Sequence, residues 1–218
     1  ADKDFVYAIT SRGVAKYDRK SGKRVATSEG AAKHLNSGFF WKGKLLCAHS
    51  NYPLKPERSE IKVLDTDSMK LTTFKDFGSA GGSLTWVLHK DGFWWCNFAL
   101  YGADNHKTFL VKYDEEWREV ARWTYPAKVI SQLGRHSLSG GIWRGEELWT
   151  TGHDDPVAFR LGLPKEGSEL KYLGQHAVPF TGQGLANDPV TDGLVGISRA
   201  KRQVIFASAK AEPVRLRV

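Results

Sequence analysis

The chain has little of what usually identifies a function quickly. It holds two cysteines, Cys47 and Cys96, and one methionine in 218 residues. The cysteines fall at equivalent mid-strand places of neighbouring repeats, which reads as packing. They give no case for a disulfide and so do not set a redox compartment. Long hydrophobic runs are also missing. The longest uncharged apolar stretch, Phe93 to Leu100, is far shorter than the roughly 20 residues of a membrane-spanning helix. No pair of histidines stands four apart as a local metal-ligand motif. Acidic residues are in the minority, with 24 Asp plus Glu against 32 Lys plus Arg and a formal charge of +8. The basic residues are scattered, with adjacent pairs such as Lys201-Arg202 but no longer run, and no nucleic-acid motif accompanies them. An anionic small ligand or glycan fits this charge better than a nucleic acid does. No signal peptide is read, and a chain opening at Ala1 is consistent with a mature product.

What is present is glycine, 22 residues of it, and aromatics at 12%, within a hydrophobic content of 41% that excludes a disordered chain. Five segments share a pattern: Val14-Ala15-Lys16-Tyr17-Asp18, Ile61-Lys62-Val63-Leu64-Asp65, Leu110-Val111-Lys112-Tyr113-Asp114, Val157-Ala158-Phe159-Arg160-Leu161 and Val204-Ile205-Phe206-Ala207-Ser208. They end at 18, 65, 114, 161 and 208, so the repeat runs at 47 to 49 residues. Each is followed by a polar turn and another β-prone stretch, the last being Val214-Arg215-Leu216. Each is preceded by a strand such as Leu45 to Ala48 or Leu148 to Thr151. Before four of these preceding strands lie a tight turn and a further strand, such as Leu35 to Trp41 and Leu138 to Trp143. Four antiparallel strands per repeat predict an all-β, five-bladed β-propeller, one domain over residues 1–218. Blade one lacks an inner strand.

Topology then localises the site. With strands A to D running from the axis outward, the starts of A, the ends of B and the B–C loops share one mouth of the ring. His34, His49, His136 and His153 all fall there, and a concave polar mouth is the default ligand site. His34, His49 and His153 form the expected metal trio, suited to zinc, manganese or iron with one position left open. Asp154 is placed to orient an imidazole. Without metal, His153 with Asp154 reads as a general base, and Arg199 as the holder of a carboxylate or sulfate. Asn36, Ser50, Asn51, Ser83, His136, Ser139 and Gln183 complete the expected ligand-binding set. One ambiguity matters: His153 aligns with either His49 or Ser50, and one residue along a strand reverses the side chain's direction. His89, His106 and His176 are read as capping or inter-blade contacts, and Trp41, Trp86, Trp94, Trp95, Trp143 and Trp149 as packing.

The runs His34-Leu35-Asn36-Ser37-Gly38, Cys47-Ala48-His49-Ser50-Asn51-Tyr52-Pro53, Gly82-Ser83-Leu84-Thr85-Trp86, Ser139-Gly140-Gly141-Ile142-Trp143, Thr151-Gly152-His153-Asp154 and Gly182-Gln183-Gly184 resemble a largely uncharacterised family of exported bacterial five-bladed propellers. That resemblance implies the fold, the marked face and a periplasmic or secreted location. A fainter one is to plant-type glutaminyl cyclases, through Phe180-Thr181-Gly182-Gln183-Gly184-Leu185. Where those enzymes carry a catalytic glutamate, this chain reads Gly196-Ile197-Ser198-Arg199, which leaves the proton transfers of such an acyl transfer to other groups. The functional expectation is a monomer that binds a small-molecule or carbohydrate-like ligand at the mouth. It acts on that ligand as a hydrolase or lyase, with metal or histidine base, or serves as a non-catalytic ligand- or protein-binding propeller.

Overall fold

Alternation of apolar and polar residues, broken by glycine turns, produces five antiparallel sheets arranged as a propeller. The computed structural model describes residues 1–208; the expected strand at 214–216 lies outside them. Blade one has three strands, β1 (Phe5–Thr10), β2 (Gly13–Asp18) and β3 (Arg24–Thr27). Blade two holds β4 (His34–Trp41), β5 (Lys44–Ser50), β6 (Ser59–Leu64) and β7 (Leu71–Gly78). Blade three holds β8 (Ser83–Lys90), β9 (Phe93–Ala99), β10 (Phe109–Tyr113) and β11 (Glu119–Thr124). Blade four holds β12 (Gly140–Arg144), β13 (Glu147–Thr151), β14 (Val157–Gly162) and β15 (Lys171–Ala177). In blade five the described strands are β16 (Leu185–Asn187), β17 (Leu194–Ser198) and β18 (Gln203–Ala207). Blade one therefore begins at its second strand, as the repeat count predicts.

The A–B turns show why glycine recurs. Lys42 and Gly43 have φ of 49° and 78°, and Asp91 and Gly92 have 55° and 75°. Two successive positive φ values make the type I′ hairpin that matches strand twist, and glycine adopts the second at little cost. Glycine also sets the spacing at the axis. A Cβ on Gly140 would meet the carbonyl oxygen of Gln183, and one on Gly141 would come within 2.7 Å of the Trp86 indole. The inner strands β4, β8, β12 and β16 thus pack in succession, and β16 reaches β4 across the gap left by blade one.

Between blades the core is aromatic and aliphatic. Trp86, Leu110, Leu138 and Leu161 are fully buried at the junction of blades three and four. Trp94, Leu46, Ile61 and Phe98 fill that of blades two and three. The tryptophans are packing residues, as the sequence suggests. The ring closes between blades one and five through Arg19, whose guanidinium meets the Asp188 carboxylate at 2.7 Å and lies over the Phe206 ring. No helix among the described residues is long and apolar enough to cross a membrane.

Candidate functional site

At the mouth shared by the B–C loops, two segments carry the chemistry. The connection from blade three to blade four contains a one-turn helix, α1 (Ala127–Ile130), and then a turn through Leu133 to His136. The B–C loop of blade four begins directly after β13, at Gly152. Between them lies a cleft of about 370 Å³ lined by Arg135, His136, His153, Asp154 and Asp155, with Leu133 and Phe159 on its apolar side.

Hairpin register resolves the strand ambiguity. Trp41 pairs with Lys44 in blade two and Arg144 with Glu147 in blade four. Counting along each strand from those pairs puts His153 at the place of Ser50. His49 lies one step earlier and points to the other side. His49 is buried, accepts the Lys33 backbone N–H at Nε2 (3.0 Å), and has no hydrogen bond at Nδ1, which lies 3.8 Å from Glu60 Oε2. Burial, reinforced by the charge of Lys62, lowers its pKa to about 4 against the opposing pull of Glu60. His34, beside Tyr52, is also lowered by burial. The structure therefore does not gather the expected trio of His34, His49 and His153. Among the described residues, the three groups whose ligand atoms lie within 4.8 Å of one another are His136, His153 and Asp154.

These three form an ordered array with Arg199. The His136 and His153 rings stack at 3.8 Å with planes 13° apart. His153 Nδ1 lies 2.6 Å from Asp154 Oδ1, and Arg199 Nη1 lies 2.9 Å from His153 Nε2. A guanidinium only donates, so Nε2 must be the acceptor and the proton sits on Nδ1, donated to Asp154. The tautomer of His153 follows from its two partners. His136 is held below the ordinary histidine pKa, chiefly by burial, then by its coupling to His153 and the charges of Arg135 and Arg199, with Asp154 opposing.

That geometry bears on metal binding. A neutral imidazole offers one lone pair, and Arg199 occupies the one on His153. A metal ion lying in the plane of one stacked ring would also fall out of the plane of the other. Coordination by both histidines would thus require Arg199 to leave and the rings to turn apart.

Most of the other expected ligand-binding groups tie the rim together. Asn36 donates to the Leu84 carbonyl at 3.1 Å, and Asn51 binds Pro56 and Arg58 across its own loop. Ser139 reaches Ser137, and Gln183, at φ 90°, donates from Nε2 to the His153 carbonyl. Ser83 is buried, and the Ser50 hydroxyl is buried without a partner. His106 caps its own 3₁₀ turn, Gly102–Lys107, while His89 meets Glu115. Sequence reasoning missed the stacking of His136 on His153 and the presence of Arg135 beside them. The signal was the long connection between Thr124 and Gly140, which has room to fold back over the next B–C loop.

No protein-family model matches the chain, and no curated protein matches it. Among solved structures, one similar in fold is a protein of unknown function from Bacteroides caccae, with TM-score 0.54 and 10% identity, covering 94% of this chain and 73% of that one. A chain from the crystal structure of the mitotic checkpoint complex gives 0.51 at 11% identity, with coverage of 93% and 70%. A chain of the Kuenenia stuttgartiensis hydrazine synthase gives 0.51 at 8% identity, with coverage of 96% and 69%. At these identities the likeness is one of fold alone.

Proposed function

We propose that this propeller binds a small anionic ligand, one bearing a carboxylate or a comparable oxyanion, in the cleft between the blade-four loop and the turn after α1. The observation that carries this reading is the clamp on His153. Asp154 and Arg199 hold opposite edges of one imidazole, in the wall of a cleft of suitable size. Neither Arg199 nor Arg135 forms an ion pair with a described carboxylate, so both guanidinium groups are available to an incoming anion. Arg199 spends one N–H on His153 and keeps the rest of its fork, whose geometry suits a bidentate oxyanion.

The same clamp supports proton chemistry. When an anion draws Arg199 away, the His153 lone pair is freed while Asp154 still holds the far edge of the ring. That is the arrangement of a general base. It can assist hydrolysis or elimination on the bound molecule, and it can equally serve only as a hydrogen-bond acceptor.

The test is a thermal-shift panel that pairs each anion with its neutral counterpart, D-glucuronate with D-glucose first. Glucuronate is expected to raise the melting temperature in a dose-dependent manner, and Arg199→Ala and His153→Ala to abolish the shift. Equal shifts from acid and neutral sugar, or a full response in Arg199→Ala, would overturn the reading.

A further inference from the structure

The cleft is one end of a longer track. On the blade-two side of the same face, the His34 ring meets Tyr52 edge-on at 5.5 Å, and Tyr52 meets Tyr101 at 4.7 Å with planes 49° apart. Tyr52 is 42% exposed, and it neighbours the exposed Leu54 in the same loop. Tyr101 is half-buried and leads directly into the 3₁₀ turn, where the Gly102 N–H binds the Arg135 carbonyl at 2.8 Å. In that turn Asn105 donates to the carbonyls of Gly134 and His136. Arg135 precedes His136, which stacks on His153, which holds Arg199. A chain of direct contacts thus runs across the mouth from blade two to blade five.

Its chemistry changes along the way. At one end an exposed aromatic ring offers an apolar surface of the size of a sugar's C–H face, and at the other are two guanidinium groups without a carboxylate partner among the described residues. We infer that the track binds a short acidic oligosaccharide of uronate units, with one sugar ring on Tyr52 and carboxylates at Arg135 and Arg199. This rests on the anionic-ligand reading of the cleft and extends it. A single-stranded nucleic acid also combines flat rings with negative charge, but base binding favours open parallel stacking surfaces. Here both neighbours of Tyr52 sit edge-on or tilted, so the rings offer no parallel stack.

The experiment uses the full chain and a fluorescently labelled β-1,4-linked glucuronan hexamer. Anisotropy titrations are run beside cellohexaose, its neutral counterpart, D-glucuronate and the oligonucleotide dT10. The hexamer is expected to bind at least tenfold more tightly than either cellohexaose or the monomer, and more weakly as salt is raised. Tyr52→Ala and Arg199→Ala are each expected to weaken it at least tenfold. Tyr52 is exposed in a loop, so its replacement leaves the fold intact, which the melting temperature verifies. If the monomer binds through Arg199 while the hexamer binds no better and Tyr52→Ala has no effect, the track is wrong and the cleft reading survives. If neither acid binds, both fail. Tighter binding of dT10 than of the hexamer would overturn the track in favour of nucleic acid.

Discussion

A buried ion pair links blades one and five, and its loss should be measurable. Asp188 has no exposed side-chain area and receives Arg19 at 2.7 Å, Thr191 Oγ1 at 2.6 Å and the Val190 N–H at 3.2 Å. Burial alone would raise its pKa. The bonds from Arg19, Thr191 and Val190, with the charge of Arg19, outweigh burial and carry it from the ordinary 3.8 down to about 2. A folded pKa below the unfolded one means stability that is present above pH 3.8 and lost as pH falls toward 2, on the order of 2 kcal/mol. Asp188→Asn, which keeps part of the bonding, should lose about that much at pH 7. Arg19→Met should lose more, about 3–5 kcal/mol, because it strands a buried carboxylate. At roughly 2–4 °C per kcal/mol for a chain of this size, Arg19→Met should melt about 6–20 °C below the wild type. The double variant Arg19→Met/Asp188→Leu should recover part of that loss. The assay is thermal unfolding followed by circular dichroism from pH 7 to pH 2. Arg19→Met melting within 1–2 °C of the wild type would refute the reasoning. So would a gap between wild type and Asp188→Asn that stays constant across that pH range.

Two further outcomes follow from buried or committed groups. Burial pushes the Cys47 thiol up to about 12, and Cys96 is raised for the same reason. A thiol-specific reagent at pH 8 should label neither until denaturant is added, and rapid labelling of the native protein would show that β5 or β9 is not packed as described. Arg199→Ala frees the His153 lone pair, so it should bind zinc more tightly than the wild type in a competition assay with a fluorescent chelator. Equal affinity would show that zinc does not use His153.

The repeat was legible because the third strand of each blade carries the same short apolar pattern at nearly constant spacing. Those segments became β2, β6, β10, β14 and β18. The missing inner strand of blade one could be read from the same counting. The mouth could be located because strand direction alone decides which residues share an end of the ring. What could not be read was the grouping within it. His49 and His153 both stand near the ends of second strands, yet His49 lies buried within β5, whereas β13 ends at Thr151 and His153 stands in the loop beyond it. His136 belongs to no strand at all. It sits on a turn after α1, whose path depends on the packing of Val129 and Leu133 into the blade-three to blade-four core. Neither feature has a periodic signature. Arg199 was identified as an anion holder, but its bond to His153 spans 46 residues, a contact that only the closed ring creates.

The central claim is that Arg199, clamped to His153, marks an anion site. Its most direct test is isothermal titration of D-glucuronate and D-glucose into the wild type and Arg199→Ala at low ionic strength. The account predicts saturable binding of glucuronate to the wild type, at least tenfold tighter than glucose, and its loss in the variant. Equal affinity for the two sugars, or undiminished glucuronate binding by Arg199→Ala, would contradict it.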